Sequence, residues 1–154
     1  MKRVSVLFGL LALSVGHAAA NENPWTVSGG IEASHYYSDS RTEVGELSYD
    51  LSAGGYRFEL AGGLIGQQEK VGHFWYGSAQ LITSPLPLGL RFGVGLAART
   101  WTNNIDEALS WPVNFSLSAG IDIERVRIQL RHLSNAGLHE PNWGESWILL
   151  GVKL

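Results

Sequence analysis

The stretch Arg125-Val126-Arg127-Ile128-Gln129-Leu130-Arg131-His132-Leu133-Ser134 decides how the rest of the chain is read. It alternates at every position. Val126, Ile128, Leu130, His132 and Ser134 share one face, and Arg125, Arg127, Gln129, Arg131 and Leu133 share the other. A period of two is a β-strand, whose successive side chains point to opposite sides. The charge falls on the unusual side: arginines and a glutamine form one row, while a His-x-Ser pair ends a row of branched apolar residues. If the apolar row faces lipid and the arginine row a polar lumen, the pair sits on the outer wall of a barrel. A nucleophile that acts on a membrane lipid belongs there.

Similar runs fill the chain on either side. They cover Trp25 to Tyr37, Glu46 to Ala53, Tyr56 to Ala61, His73 to Thr83, Leu90 to Arg99, Val113 to Ile121 and, after the quoted strand, Ser146 to Leu154. With the quoted strand they make eight candidate strands. Gly54-Gly55, Ser84-Pro85-Leu86-Pro87 and the residues near Asp122 to Glu124 read as short turns. Residues 38–45, 66–72, 100–112 and 135–144 read as longer polar loops. A soluble β-sandwich would show the same alternation, because it buries the apolar face and wets the polar one. Three features favour a membrane barrel. Short and long connections alternate, and the last strand runs apolar to the end of the chain. Trp25, Tyr36, Tyr37, Trp75, Tyr76, Trp101, Trp111 and Trp147 lie near strand ends, where interfacial aromatic girdles sit. The expected fold is therefore all-β: an eight-stranded antiparallel transmembrane β-barrel. Its lumen should be filled by Asp50 and Glu59 against Arg57, Arg91, Arg99, Arg125, Arg127 and Arg131.

The start of the chain carries an address. Met1-Lys2-Arg3, an apolar run from Val4 to Val15 and Ala18-Ala19-Ala20 are the three parts of a secretory signal peptide. The apolar run is too short to span a bilayer. The expected division is residues 1–20 as signal peptide and 21–154 as barrel. Loss of Lys2 and Arg3 takes the net charge from −3 to −5, which argues against a nucleic-acid partner. No cysteine is present, so neither a disulfide framework nor a thiolate metal site is available. With both termini on the periplasmic side, the seventh strand delivers His132 and Ser134 to the outer rim. The lipid there, in the outer leaflet, is lipopolysaccharide.

A serine becomes a nucleophile when a base takes its proton and a third group holds that base in the correct tautomer. His132 and Ser134 are two apart on one strand face, about 6 to 7 Å between Cβ atoms. Glu145 opens the neighbouring strand and is the candidate third group. Asn135, the backbone amide of Gly137, and Asn142 lie in the intervening loop and are candidate oxyanion donors. A His-x-Ser pair alone carries little weight. Its place at the end of a lipid-facing row carries more, since polar groups are costly there.

The stretch His132-Leu133-Ser134-Asn135-Ala136-Gly137-Leu138, followed by Pro141-Asn142-x-Gly144 and Glu145-Ser146, resembles the signature of the PagL family of outer-membrane lipid A 3-O-deacylases. The resemblance is dense over about 131–154 and elsewhere rests on the eight-strand pattern. It implies hydrolysis of the ester-linked acyl chain at the 3-position of lipid A by a Ser-His-Glu triad. Matched by motif, the triad falls on Ser134, His132 and Glu145, and the family's asparagines fall on Asn135 and Asn142. One departure stands out. In the family one more residue separates the Pro-Asn-x-Gly element from the glutamate, whereas here Gly144 and Glu145 are adjacent. Glu145 is followed by Ser146, as in the family, and so stays the acid. Strict alternation counted back from Leu154 nevertheless puts it on the lumen side, so a bulge or loop geometry must turn it outward, or Glu140 takes the role.

The proposed chemistry needs no cofactor and no metal, and His139 and the other scattered histidines show no ligand spacing. The implied partners are lipid A or lipopolysaccharide and the outer membrane, with a homodimer left open. The rival reading is a non-catalytic small barrel that stabilises the membrane or binds a ligand or adhesin.

Overall fold

Alternation with turns every ten or so residues produces consecutive antiparallel hairpins, and in this chain they close on themselves. The computed structural model describes residues 23–33, 42–66, 72–84, 86–100, 109–140, 142 and 144–154. The strands are β1 (Trp25–Glu32), β2 (Glu43–Ala53), β3 (Tyr56–Ile65), β4 (Phe74–Ile82), β5 (Leu90–Arg99), β6 (Val113–Ile123), β7 (Val126–Ser134) and β8 (Glu145–Lys153). Each pairs with the next, and β1 pairs with β8, giving a closed barrel. Closure leaves no unpaired edge, which is the condition for strands to cross a bilayer. The expected signal peptide, and the girdle residues Tyr36, Tyr37 and Trp101, lie outside the described residues.

The two rims differ. One carries the short connections: residues 54–55, 83–89 and 124–125. Gly54 and Gly55 both have positive φ, 59° and 82°, the requirement for a two-residue turn whose twist matches its strands. Arg125 sits in the 124–125 turn and is exposed. It is not part of the lumen row, because the strand begins one residue later than the alternation suggested. The other rim carries the long connections, including 135–144.

Outward-facing residues form an apolar wall. Val126, Ile128 and Leu130 on β7, Val94 and Leu96 on β5, Phe115 and Leu117 on β6, and Ile148 and Leu150 on β8 are all exposed. On a soluble protein this area would be an aggregation surface; in a bilayer it is the lipid contact.

The lumen is filled in two layers. From the short-turn rim up to the level of Trp147, Arg91, Arg127 and Arg131 interlock with Asp50, Glu46, Glu59 and Asp122. Glu59, fully buried, meets Arg91 Nη2 at 2.7 Å, Arg127 Nη1 at 3.2 Å and Arg131 Nη2 at 2.5 Å. Arg127 also reaches Asp50 and Asp122, each at 2.8 Å. Each charge has at least two partners, so the cost of leaving water is offset across the network rather than within one pair. Toward the long-loop rim the lumen turns apolar, with Val44, Ile65, Phe74, Leu133 and Leu149 packed together. Tyr76 and Trp147, read from the sequence as girdle residues, belong to this plug. Their rings stack in parallel with centroids 5.4 Å apart, and the Tyr76 hydroxyl hydrogen-bonds Glu46, joining the two layers. Both lie on the inward parity of their strands, where an aromatic near a strand end fills the barrel. Trp75 and Trp111 do face outward.

Candidate active site

The apolar row of β7 ends at the long-loop rim. Its last two members, His132 and Ser134, face outward and are half-buried. On β6, His132 lies opposite Leu117 and Ser134 opposite Phe115, so both polar side chains are set into an apolar wall. On β8, His132 lies opposite Ser146, and Leu133 opposite Glu145.

Ser134 Oγ is held as an acceptor. Asn142 Nδ2 donates to it at 2.8 Å and the backbone N–H of Ala136 at 3.0 Å. An oxygen that accepts twice still has its own proton to give. The backbone at this point is bent to allow it: Ala136 and Gly137 have φ of 55° and 75°, turning the chain immediately after the strand.

Asn135 and Gly137 shape the loop that carries Asn142. The Asn135 N–H donates to Asn142 Oδ1 at 3.2 Å, and its Oδ1 accepts from Gly137 N–H at 2.9 Å. Asn135 Nδ2 donates to Ser110 Oγ and to the His139 carbonyl, at 2.8 and 2.9 Å. The candidate oxyanion donors are thus a single cluster, in which Asn142 and the Ala136 amide touch Ser134 and the other two hold them. Ala136 was not singled out by its sequence position, because backbone amides leave no mark in a sequence.

His132 Nδ1 lies 2.9 Å from Ser146 Oγ. Its ring also packs against Gly144, whose φ is 71°. A Cβ on Gly144 would stand 2.6 Å from His132 Cε1 and 3.0 Å from the Leu133 carbonyl oxygen, so any side chain there must displace the imidazole. Glu145 points the other way: it is buried on the lumen side, the face it shares with Trp147 and Leu149. Glu140 is exposed in the loop. The structure therefore brings His132, Ser134, Asn135, Gly137 and Asn142 to one place. It sets the Glu145 side chain on the opposite face of its strand.

Beside Ser134 runs an outward groove of about 350 Å³, lined by Leu96, Trp111, Val113, Phe115, Leu138 and His139. Trp111 and His139 stack with centroids 4.9 Å apart and form its upper wall. Among the described residues no group of three or more His, Asp or Glu side chains is arranged to hold a metal ion.

A family model described as lipid A 3-O-deacylase (PagL) matches residues 9–154. No curated protein matches the sequence significantly. Among solved structures, the crystal structure of the outer membrane enzyme PagL is similar, with a TM-score of 0.52 over 84% of this chain and 99% of that one. The two are 19% identical, so that likeness speaks to the fold.

Proposed function

Because the chain belongs to the lipid A 3-O-deacylase (PagL) family, we propose that it hydrolyses the ester-linked acyl chain at the 3-position of lipid A, with Ser134 as nucleophile and His132 as base. The family and the closed barrel make it an outer-membrane protein. The observation that carries the reading is the position of Ser134. Its hydroxyl is on the lipid-facing wall, held by two donors, two residues from a histidine on the same face. With the long-loop rim outward, that rim meets the lipopolysaccharide leaflet.

In this reading Ser134 Oγ attacks the acyl carbonyl while its proton passes to His132 Nε2. Asn142 Nδ2 and the Ala136 N–H, already aimed at Oγ, are the donors nearest the developing oxyanion. Donors preorganised in a site that excludes water are worth far more than in bulk solvent. Asn135 and Gly137 contribute by holding Asn142 in place. The intermediate collapses as His132 returns the proton to the leaving sugar oxygen. Water then repeats the sequence on the acyl-enzyme and frees the fatty acid. The groove lined by Leu96 and Phe115 supplies an apolar bed for an acyl chain at the point where Ser134 needs its carbonyl.

Mass analysis of lipid A from cells producing the wild-type or Ser134→Ala protein tests this. Wild-type cells should lose the 3-linked acyl group. Ser134→Ala cells should keep it, while their protein still migrates as a heat-modifiable barrel on unboiled gels. An active, folded Ser134→Ala protein, or a folded wild type that leaves lipid A intact, would return the chain to the non-catalytic barrels.

A further inference from the structure

The hydrolase reading leaves open what holds His132 in the tautomer it needs, and resting on that reading we propose that Ser146 is the positioning residue. Register and reach both point to it. Ser146 is the first outward residue of β8 and stands directly across from His132. Its Oγ lies 2.9 Å from Nδ1. Among the described residues it is the side chain that hydrogen-bonds the imidazole.

Glu145 is kept from this role by strand parity. It pairs across from Leu133, and both are buried inside the barrel. The β7–β8 register runs without a bulge from Val126 opposite Val152 to Leu133 opposite Glu145. Successive side chains of a strand point to opposite faces, so with that pairing kept regular, turning Glu145 outward means slipping β8 by one residue. That slip would expel Trp147 and Leu149 from the plug, where each is at most 1% exposed, and break the stack on Tyr76. It would also place Ile148 and Leu150 among the buried arginines. Glu140 is exposed in the loop, with no bond to His132.

The hydroxyl suits the role as an acceptor. With Nδ1–H donating to Ser146 Oγ, the lone pair sits on Nε2, the nitrogen that takes the Ser134 proton. Ser146 keeps its own proton throughout, and no atom of it enters the product. A carboxylate would also neutralise the imidazolium formed mid-reaction; a hydroxyl orients the ring without doing so.

Two readouts test the proposal. The first is deacylation kinetics in detergent micelles. Ser146→Ala should lower kcat by about a hundredfold, the lower end of the scale of a general-base effect, with KM nearly unchanged. Ser146→Thr and Ser146→Val form a matched pair of equal shape, of which the hydroxyl-bearing one should retain most of the wild-type kcat and the other should fall with alanine. Glu145→Gln should stay close to wild type in kcat in every preparation that is heat-modifiable. The second readout does not depend on turnover. In ¹⁵N-histidine NMR of the intact barrel, the His132 signals, assigned by their loss in His132→Asn, should report the Nδ1–H tautomer. Ser146→Val should shift them toward a mixture.

Equal kcat for Ser146→Thr and Ser146→Val, or a large loss in folded Glu145→Gln with none in Ser146→Ala, would overturn the proposal. So would a tautomer unmoved by Ser146→Val. If instead wild type shows no deacylation at all while the tautomer shifts as expected, the substrate reading fails and the Ser146–His132 pairing stands.

Discussion

Asn142 Nδ2 donates to Ser134 Oγ at 2.8 Å, so the loop between β7 and β8 is fastened to the hydroxyl that the proposed reaction uses. In the proposed reaction that amide is a donor held beside the oxygen that attacks the acyl carbonyl. Asn142→Asp keeps the size, removes the donor and adds negative charge. It should lower kcat by about 10² to 10³, the usual cost of one oxyanion donor. The barrel should remain heat-modifiable. Micellar deacylation rates check this, and an unchanged rate would reduce Asn142 to a loop-shaping residue.

Gly144 makes the complementary prediction, because it limits the imidazole by bulk. The φ of 71° already disfavours any side chain by about 1 to 2 kcal/mol. The added Cβ of Gly144→Ala would also meet His132 Cε1 at 2.6 Å. The Leu133 carbonyl on the other side belongs to the strand ladder and cannot yield, so the ring must turn away from Ser146. A misplacement of about 1 Å costs on the order of a hundredfold in rate. Gly144→Ala should therefore lose about that much kcat while staying folded. A rate within threefold of wild type would show that the ring has room to adjust.

These two residues show how the site was legible and where it was not. The alternation from Val126 to Ser134 is enough to place His132 and Ser134 on the wall and Arg127 and Arg131 inside, because parity along one strand is a local property. Parity counted back from Leu154 likewise puts Glu145 inside, in tension with its motif position. The partner of His132 is a different kind of fact. It depends on which residue of β8 stands opposite, and a ten-residue connection does not determine register as a two-residue turn does. Ser146 looks like any strand-opening serine until the pairing is known. Tyr76 and Trp147 fail for a related reason: an aromatic near a strand end suits both a girdle and a plug, and composition does not separate them. The donor on Ala136 is backbone and has no sequence signal.

The lumen network should dominate stability. Arg131→Met removes the cation shared by Glu46 and Glu59, both buried and in contact with it at 2.8 and 2.5 Å. Stripping one partner from a buried ionic network costs about 3 to 5 kcal/mol. On the opposite face, Ile128→Arg should cost roughly 2 to 4 kcal/mol by putting a guanidinium into hydrocarbon near mid-height. Ile128→Leu, which keeps the lipid contact, should be near neutral. Urea unfolding in lipid vesicles gives all three. A neutral Ile128→Arg would mean that this wall does not face lipid.

The groove should decide which acyl chains are accepted. Phe115 stands opposite Ser134 and also lines the groove, so a chain lying there presents its carbonyl end toward Oγ. Each methylene buried contributes about 0.8 kcal/mol, and a chain long enough to fill the groove should bind more tightly than one several carbons shorter. Leu96→Trp extends an indole into this space from a residue that is already 54% exposed, and so leaves the lumen untouched. It should raise KM for the long-chain ester by about tenfold, the effect of losing some two methylenes of contact. The kcat on a short-chain ester should stay close to wild type. Leu81→Trp is the control, since Leu81 faces outward on β4 and is not part of the groove lining; its chain-length profile should match the wild type. Identical profiles for Leu96→Trp and Leu81→Trp would move the acyl chain out of the groove and leave Ser134 with a different approach from the membrane.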